Sequence, residues 1–132
     1  MKLISTGLEG AYVIELANFI DERGCFVKVF NKTEFDKSTI YCDFKESYYS
    51  ISKKGVIRGM HFQVPPFDHY KLIYVTEGTV LDVILDVRKK SKTFGKFFSI
   101  EISSENKKAI YMPSGFAHGF TAFSKQATMV YN

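Results

Sequence analysis

This chain has no tryptophan, only three histidines, and only two cysteines and three prolines. Cys25 and Cys42 lie far apart with no C-x-x-C spacing. They read as free thiols in a reducing compartment, and nothing supports a disulfide between them. No apolar run is long enough to cross a membrane, and residues 1–16 carry Glu9 and Glu15. That predicts neither a signal peptide nor a membrane partner, and so a cytoplasmic protein. The net charge is +4, but Lys53-Lys54, Arg88-Lys89-Lys90 and Lys107-Lys108 are scattered among acids. Without a basic stripe there is no nucleic-acid face. The same balance suits a small phosphorylated ligand, or serves solubility alone.

What the chain has in plenty is aromatic residues, 13 Phe and 8 Tyr in 132 residues. Such enrichment favours strands, and the length predicts one domain, residues 1–132, with a single core. Apolar and polar residues alternate, or turn residues bound short apolar runs, at 11–16, 26–30, 44–52, 56–63, 71–76, 79–88, 93–102, 108–112, 117–123 and 128–131. About ten short strands with no long helix predict an all-β sandwich or barrel. One helical turn is expected near Thr33, with Thr33 as its N-cap. In 79–88, Val80, Asp82, Ile84 and Asp86 share one face. Two carboxylates there need a cation or a His within reach, unless the face meets water.

The chemistry concentrates in Arg58-Gly59-Met60-His61-Phe62-Gln63, followed by Lys71 and Gly78 and then by Pro113-Ser114-Gly115-Phe116-Ala117-His118. H-x-Q, a Lys, a Gly, then P-x-G-x-x-H is the spacing of a cupin-type double-stranded β-helix (jelly-roll) barrel. In the metal-binding form a second His and a Glu stand where this chain has Gln63 and Lys71. An ammonium has no lone pair to give a metal. The pattern therefore predicts a metal-free site that needs no cofactor, with one His as base and Lys71 holding developing negative charge. The plainer alternative is that His61 is a hydrogen-bonded structural residue. On strict alternation Arg58 faces away from His61, unless a bulge at Gly59 turns it inward.

With those residues in view, the chain resembles the dTDP-4-dehydrorhamnose 3,5-epimerase family. The matching runs include Phe19-Ile20-Asp21-Glu22-Arg23-Gly24, residues 50–63, Lys71-Leu72, residues 81–88, Ser91-Lys92-Thr93-Phe94-Gly95 and residues 113–120. The resemblance implies a jelly-roll homodimer that needs no metal and acts on a nucleotide-linked 4-keto-6-deoxy sugar, in the route to activated rhamnose. The ketone acidifies the flanking C–H bonds; a base removes a proton and another returns from the opposite face. By the same resemblance His61 is the base, Lys71 stabilises the enolate oxygen, Arg58 adds charge and contacts substrate, and Tyr131 donates the proton. Gln63, Asp82 and His118 line the same pocket. Arg23 reaches the nucleotide diphosphate, often across the dimer, where a guanidinium suits a phosphate.

Four positions depart from the family pattern. Glu46 and Tyr48 stand where Gln and Asn are usual, Lys28 replaces a Glu, and His69 replaces a Gln. These positions touch nucleotide or sugar in the family, which leaves room for a substrate other than dTDP-4-keto-6-deoxyglucose. Asn132 follows Tyr131 directly, whereas family members continue further, with an Asp that orients the base. Three functions fit the residues: an epimerase acting at C3, C5 or both; a 3,4-ketoisomerase using the same base; and a sugar-nucleotide-binding cupin without turnover.

Overall fold

The computed structural model describes residues 1–38, 40–41 and 43–132. Its strands are β1 (Lys2–Ser5), β2 (Tyr12–Glu15), β3 (Ala17–Asp21), β4 (Gly24–Lys28), β5 (Tyr48–Lys53), β6 (Ile57–His61), β7 (Lys71–Glu77), β8 (Thr79–Asp86), β9 (Phe97–Ser103), β10 (Lys108–Met112), β11 (Phe116–Ala122) and β12 (Gln126–Tyr131). One short helix, α1 (Lys32–Asp36), lies between β4 and β5. Among the described residues no helix is long and apolar enough to cross a membrane. The expected free thiol of Cys42 lies outside the described residues; Cys25 is free and exposed.

Two antiparallel sheets face each other. The larger runs β1-β2-β10-β7-β12-β5 and the smaller β6-β11-β8-β9, with β3 and β4 as a separate hairpin. The facing sides interdigitate through Val13, Ile73, Val75, Ile110, Met112 and Met129 of the first sheet and Val80, Ile84, Ile102, Phe116 and Phe120 of the second. This is the cupin-type jelly roll that the spacing predicts. The outer side of the larger sheet carries a second cluster, where Phe35 and Ile40 cover Ile14, Leu16, Leu72, Ala109 and Tyr111. Burying a strand's two faces in two cores explains why β7 is apolar without a break from Leu72 to Val75.

Three expectations need correction. Residues 2–5 and 17–21 are strands that the pattern did not mark. β3 is exposed along almost its whole length, so no alternation betrays it, and it exists because β4 pairs with it across Glu22-Arg23. The helix is capped by Asn31, not Thr33: the Asn31 side chain accepts from the Glu34 backbone N–H. The stretch 93–96 is a turn rather than strand, because Asp86 captures it.

That capture answers the question of the carboxylate face. Val80, Asp82, Ile84 and Asp86 are all buried, so the face does not meet water. Asp86 accepts from Arg88 Nε and Nη2, Ser91 Oγ and Thr93 Oγ1 at 2.5–2.9 Å. Burial pushes its pKa up, but these donors outweigh that and hold it far below the usual carboxylate range. Asp82, midway along β8, meets His118 instead.

Candidate active site

The end of the sandwich formed by β6, β7, β11 and β12 gathers most of the candidate side chains. His61 closes β6 and is the register partner of His118 on β11. Their rings lie 6.3 Å apart, edge to face at 76°. His118 is 1% exposed, and its Nε2 lies 2.6 Å from Oδ2 of Asp82, itself 1% exposed. One hydrogen bond joins these two atoms, while Asp82 Oδ1 and His118 Nδ1 make none among the described residues. Asp82 thus has the His within reach that its buried position demands.

Arg58 reaches the same face through a bulge. On β11 the register steps from His118↔His61 to Phe120↔Arg58, so Gly59 and Met60 oppose the single residue Gly119. Gly59 has φ +108°, and a Cβ there would lie 2.5 Å from the His118 carbonyl oxygen and 2.6 Å from Gly119 Cα. Only glycine fits. The extra residue reverses the alternation, and Arg58 turns inward to donate from Nε to Ser52 Oγ at 2.9 Å.

Lys71 opens β7 and is 9% exposed. It shares the inward face of Ile73 and Val75. Burial pushes its ammonium below the ordinary lysine range, and the nearby Glu46 carboxylate opposes that shift. The Lys71 charge is felt in turn by His61. Partial desolvation, then Lys71, then His118 hold the His61 pKa below the ordinary imidazole value.

Tyr131, on β12 and 6% exposed, meets three neighbours. Its ring stacks on Tyr48 at 4.8 Å and 14°, and sits edge-on to His118 at 6.2 Å. Its hydroxyl lies 3.1 Å from Ser50 Oγ. Burial is the main reason its pKa is raised; the Ser50 hydrogen bond opposes this, Tyr48 and Asp82 add to it, and Arg58 lowers it. The phenol therefore stays protonated at neutral pH.

Gln63 lies just beyond β6, at the rim. It borders a crevice with His69, Lys71 and Phe116 and a wider cleft of about 450 Å³ with Glu46, Tyr41 and Tyr70. Arg23 stands apart from the other seven. It sits at the tip of the β3–β4 hairpin with 85% of its side chain exposed, paired to Asp21 at 2.5 Å, and borders a groove formed within that hairpin. Among the described residues no three His, Cys, Asp or Glu side chains are grouped as a metal ion would require. Ser50 and Ser52, which bond Tyr131 and Arg58, are the contributors that sequence reasoning missed. Their only signal is alternation along residues 48–52, which marks a face and not a partner.

A jelly roll with a His, a buried Lys and a buried Tyr converging on one open end belongs to the cupin-type sugar-nucleotide enzymes. Residues 5–132 match the profile of the dTDP-4-dehydrorhamnose 3,5-epimerase family, and the chain belongs to that family. It is 40% identical over 132 residues to the dTDP-4-dehydrorhamnose 3,5-epimerase of Shigella flexneri, covering 99% of this chain and 73% of that protein. The crystal structure of the dTDP-4-dehydrorhamnose 3,5-epimerase of Elizabethkingia anophelis superposes with a TM-score of 0.92 at 42% identity, over 99% of this chain and 72% of that one. That of a dTDP-6-deoxy-D-glucose-3,5-epimerase from Legionella pneumophila, in complex with dTDP-4-keto-L-rhamnose, gives 0.93 at 37% identity, over 98% and 69%.

Proposed function

We propose that this protein is a metal-independent epimerase of a nucleotide-linked 4-keto-6-deoxy sugar, serving the synthesis of activated rhamnose or a related deoxysugar. The observation that carries the reading is the placement of the base and the acid on facing sheets. His61 projects from the smaller sheet, and Tyr131 and Lys71 project from the larger one, into the same open end. A sugar lying between the sheets presents one ring face to each.

The chemistry follows from that placement. The 4-ketone acidifies the C–H bonds at C3 and C5. His61, largely neutral at physiological pH because its pKa is held down, takes a proton from one face. The electron pair moves into an enolate, whose oxygen Lys71 and Arg58 stabilise as charge develops. Tyr131 delivers its phenolic proton to the carbon from the opposite face, and the centre is inverted. Solvent then resets the imidazolium and the phenolate. Gln63, Asp82 and His118 shape the pocket. Family membership and the Legionella complex with dTDP-4-keto-L-rhamnose support dTDP as the nucleotide.

The functional unit is a homodimer in which the β3–β4 hairpin carries Arg23 to the nucleotide diphosphate of the neighbouring subunit. The exposed Phe19, Ile20 and Phe26 of that hairpin, 60%, 78% and 63% open to solvent, support its burial against a second copy. The test of activity is incubation with dTDP-4-keto-6-deoxyglucose in D2O, followed by NMR. Deuterium at C3 and C5 with inversion is expected. Label at C3 with a migrated ketone would replace this reading by a ketoisomerase, and binding without any label by a non-catalytic cupin.

A further inference from the structure

We propose that Tyr48 and Ser50, both on β5, are positioning residues that fix the ring and the hydroxyl of Tyr131, and thereby set how often the enolate is protonated on the face opposite His61. This rests on the epimerase reading above.

Tyr48 is the direct register partner of Tyr131 across the β5–β12 ladder, and Ser50 is the partner of Met129 two residues away. Directly opposite and diagonal side chains on one face of an antiparallel pair are within reach of each other. The Tyr131 ring therefore has one face against Tyr48, at 4.8 Å and 14°, and an edge against His118. Its oxygen is tied to Ser50 Oγ at 3.1 Å. It cannot turn without displacing Tyr48 or giving up the hydrogen bond. Tyr48 is 45% exposed, so its ring forms the wall between Tyr131 and solvent.

An enolate in this site has two fates. Tyr131 protonates it on the far face and gives the inverted centre, or the His61 imidazolium returns a proton on the near face and regenerates substrate. His61 stands at the open mouth, so its proton exchanges with solvent between the two steps. Near-face return in D2O then leaves deuterium in uninverted substrate. Far-face transfer depends on where the Tyr131 oxygen sits to within a fraction of an ångström. Near-face return depends on His61, which is on the other sheet. The ratio of the two outcomes thus reads the setting of Tyr131 independently of overall activity.

The experiment measures initial rates of deuterium entry into recovered substrate and into inverted product. Tyr48→Ala and Ser50→Ala should each raise the ratio of deuterated substrate to inverted product by about tenfold. Tyr48→Phe keeps the ring and should keep the wild-type ratio. If both Ala variants lower the two rates in proportion, the residues are merely structural and the proposal is overturned. Should Tyr48→Ala fail to fold, Ser50→Ala reads the same ratio with one hydrogen bond removed. No deuterium entry with the wild-type protein overturns the epimerase reading, and this inference falls with it. Inversion that survives Tyr131→Phe at the wild-type ratio overturns the inference alone.

Discussion

Nε2 of His118 and Oδ2 of Asp82 lie 2.6 Å apart, and each side chain is 1% exposed. The pair binds β8 to β11 beneath the site, and His118 supports both the His61 and the Tyr131 rings. Removing one partner of such a buried hydrogen-bonded pair leaves the other unsatisfied, at about 1–3 kcal/mol. Asp82→Ala should therefore lower the denaturant midpoint by that equivalent and reduce activity as well. Unchanged stability would show that the pair does not hold the sheet.

His61→Ala should fold with near-wild-type stability, since the ring stands at the mouth, and lose at least about a hundredfold in kcat. A steady-state assay and a thermal melt check both halves. A fully active variant would remove His61 as the base.

The pH profile carries a further expectation. A base works in its deprotonated form, and desolvation followed by the Lys71 charge lowers the pKa of His61. The acid limb of kcat/KM should therefore fall below the ordinary histidine range. Lys71→Met removes the cation, so in the residual activity of that variant the limb should move to higher pH. A limb that stays put would show that Lys71 does not act on the base.

Gly59→Ala adds a methyl group where the His118 carbonyl and the Gly119 backbone already stand, at a φ of +108°. Strain of about 1–3 kcal/mol is expected, with loss of activity as Arg58 and His61 shift together. A crystal structure of the variant with an unaltered bulge would contradict this.

Asp86 predicts acid behaviour. Its folded pKa is depressed, so its contribution is present above the unfolded carboxylate value of about 3.9 and is lost as pH falls from there toward the folded value. Asp86→Asn should be less stable at neutral pH. The gap to wild type should narrow as pH drops below about 4, measured by urea unfolding across pH.

The residue spacing carried much of this protein. The alternation in residues 79–88 marked a buried face, and the carboxylates on it announced partners. The glycine before His61 announced the bulge that turns Arg58 inward. Spacing of the His, Lys and Pro-Gly motifs implied the barrel, because strand periodicity and turn chemistry are local properties. The β3 strand was invisible because an exposed hairpin needs no apolar alternation. The Asn31 cap was missed because capping depends on where the helix begins, not on which residue is best suited to it.

Linear order determined which residues share a strand face; only the tertiary structure decided which strands lie side by side. Tyr131 and Tyr48 are far apart in the chain, yet the β5–β12 register sets them ring to ring. His61 and Tyr131 come against the same His118 ring only because two sheets close over one core. Pairing between distant strands is chosen by the joint burial of many side chains and by loop closure, which no short stretch of sequence encodes.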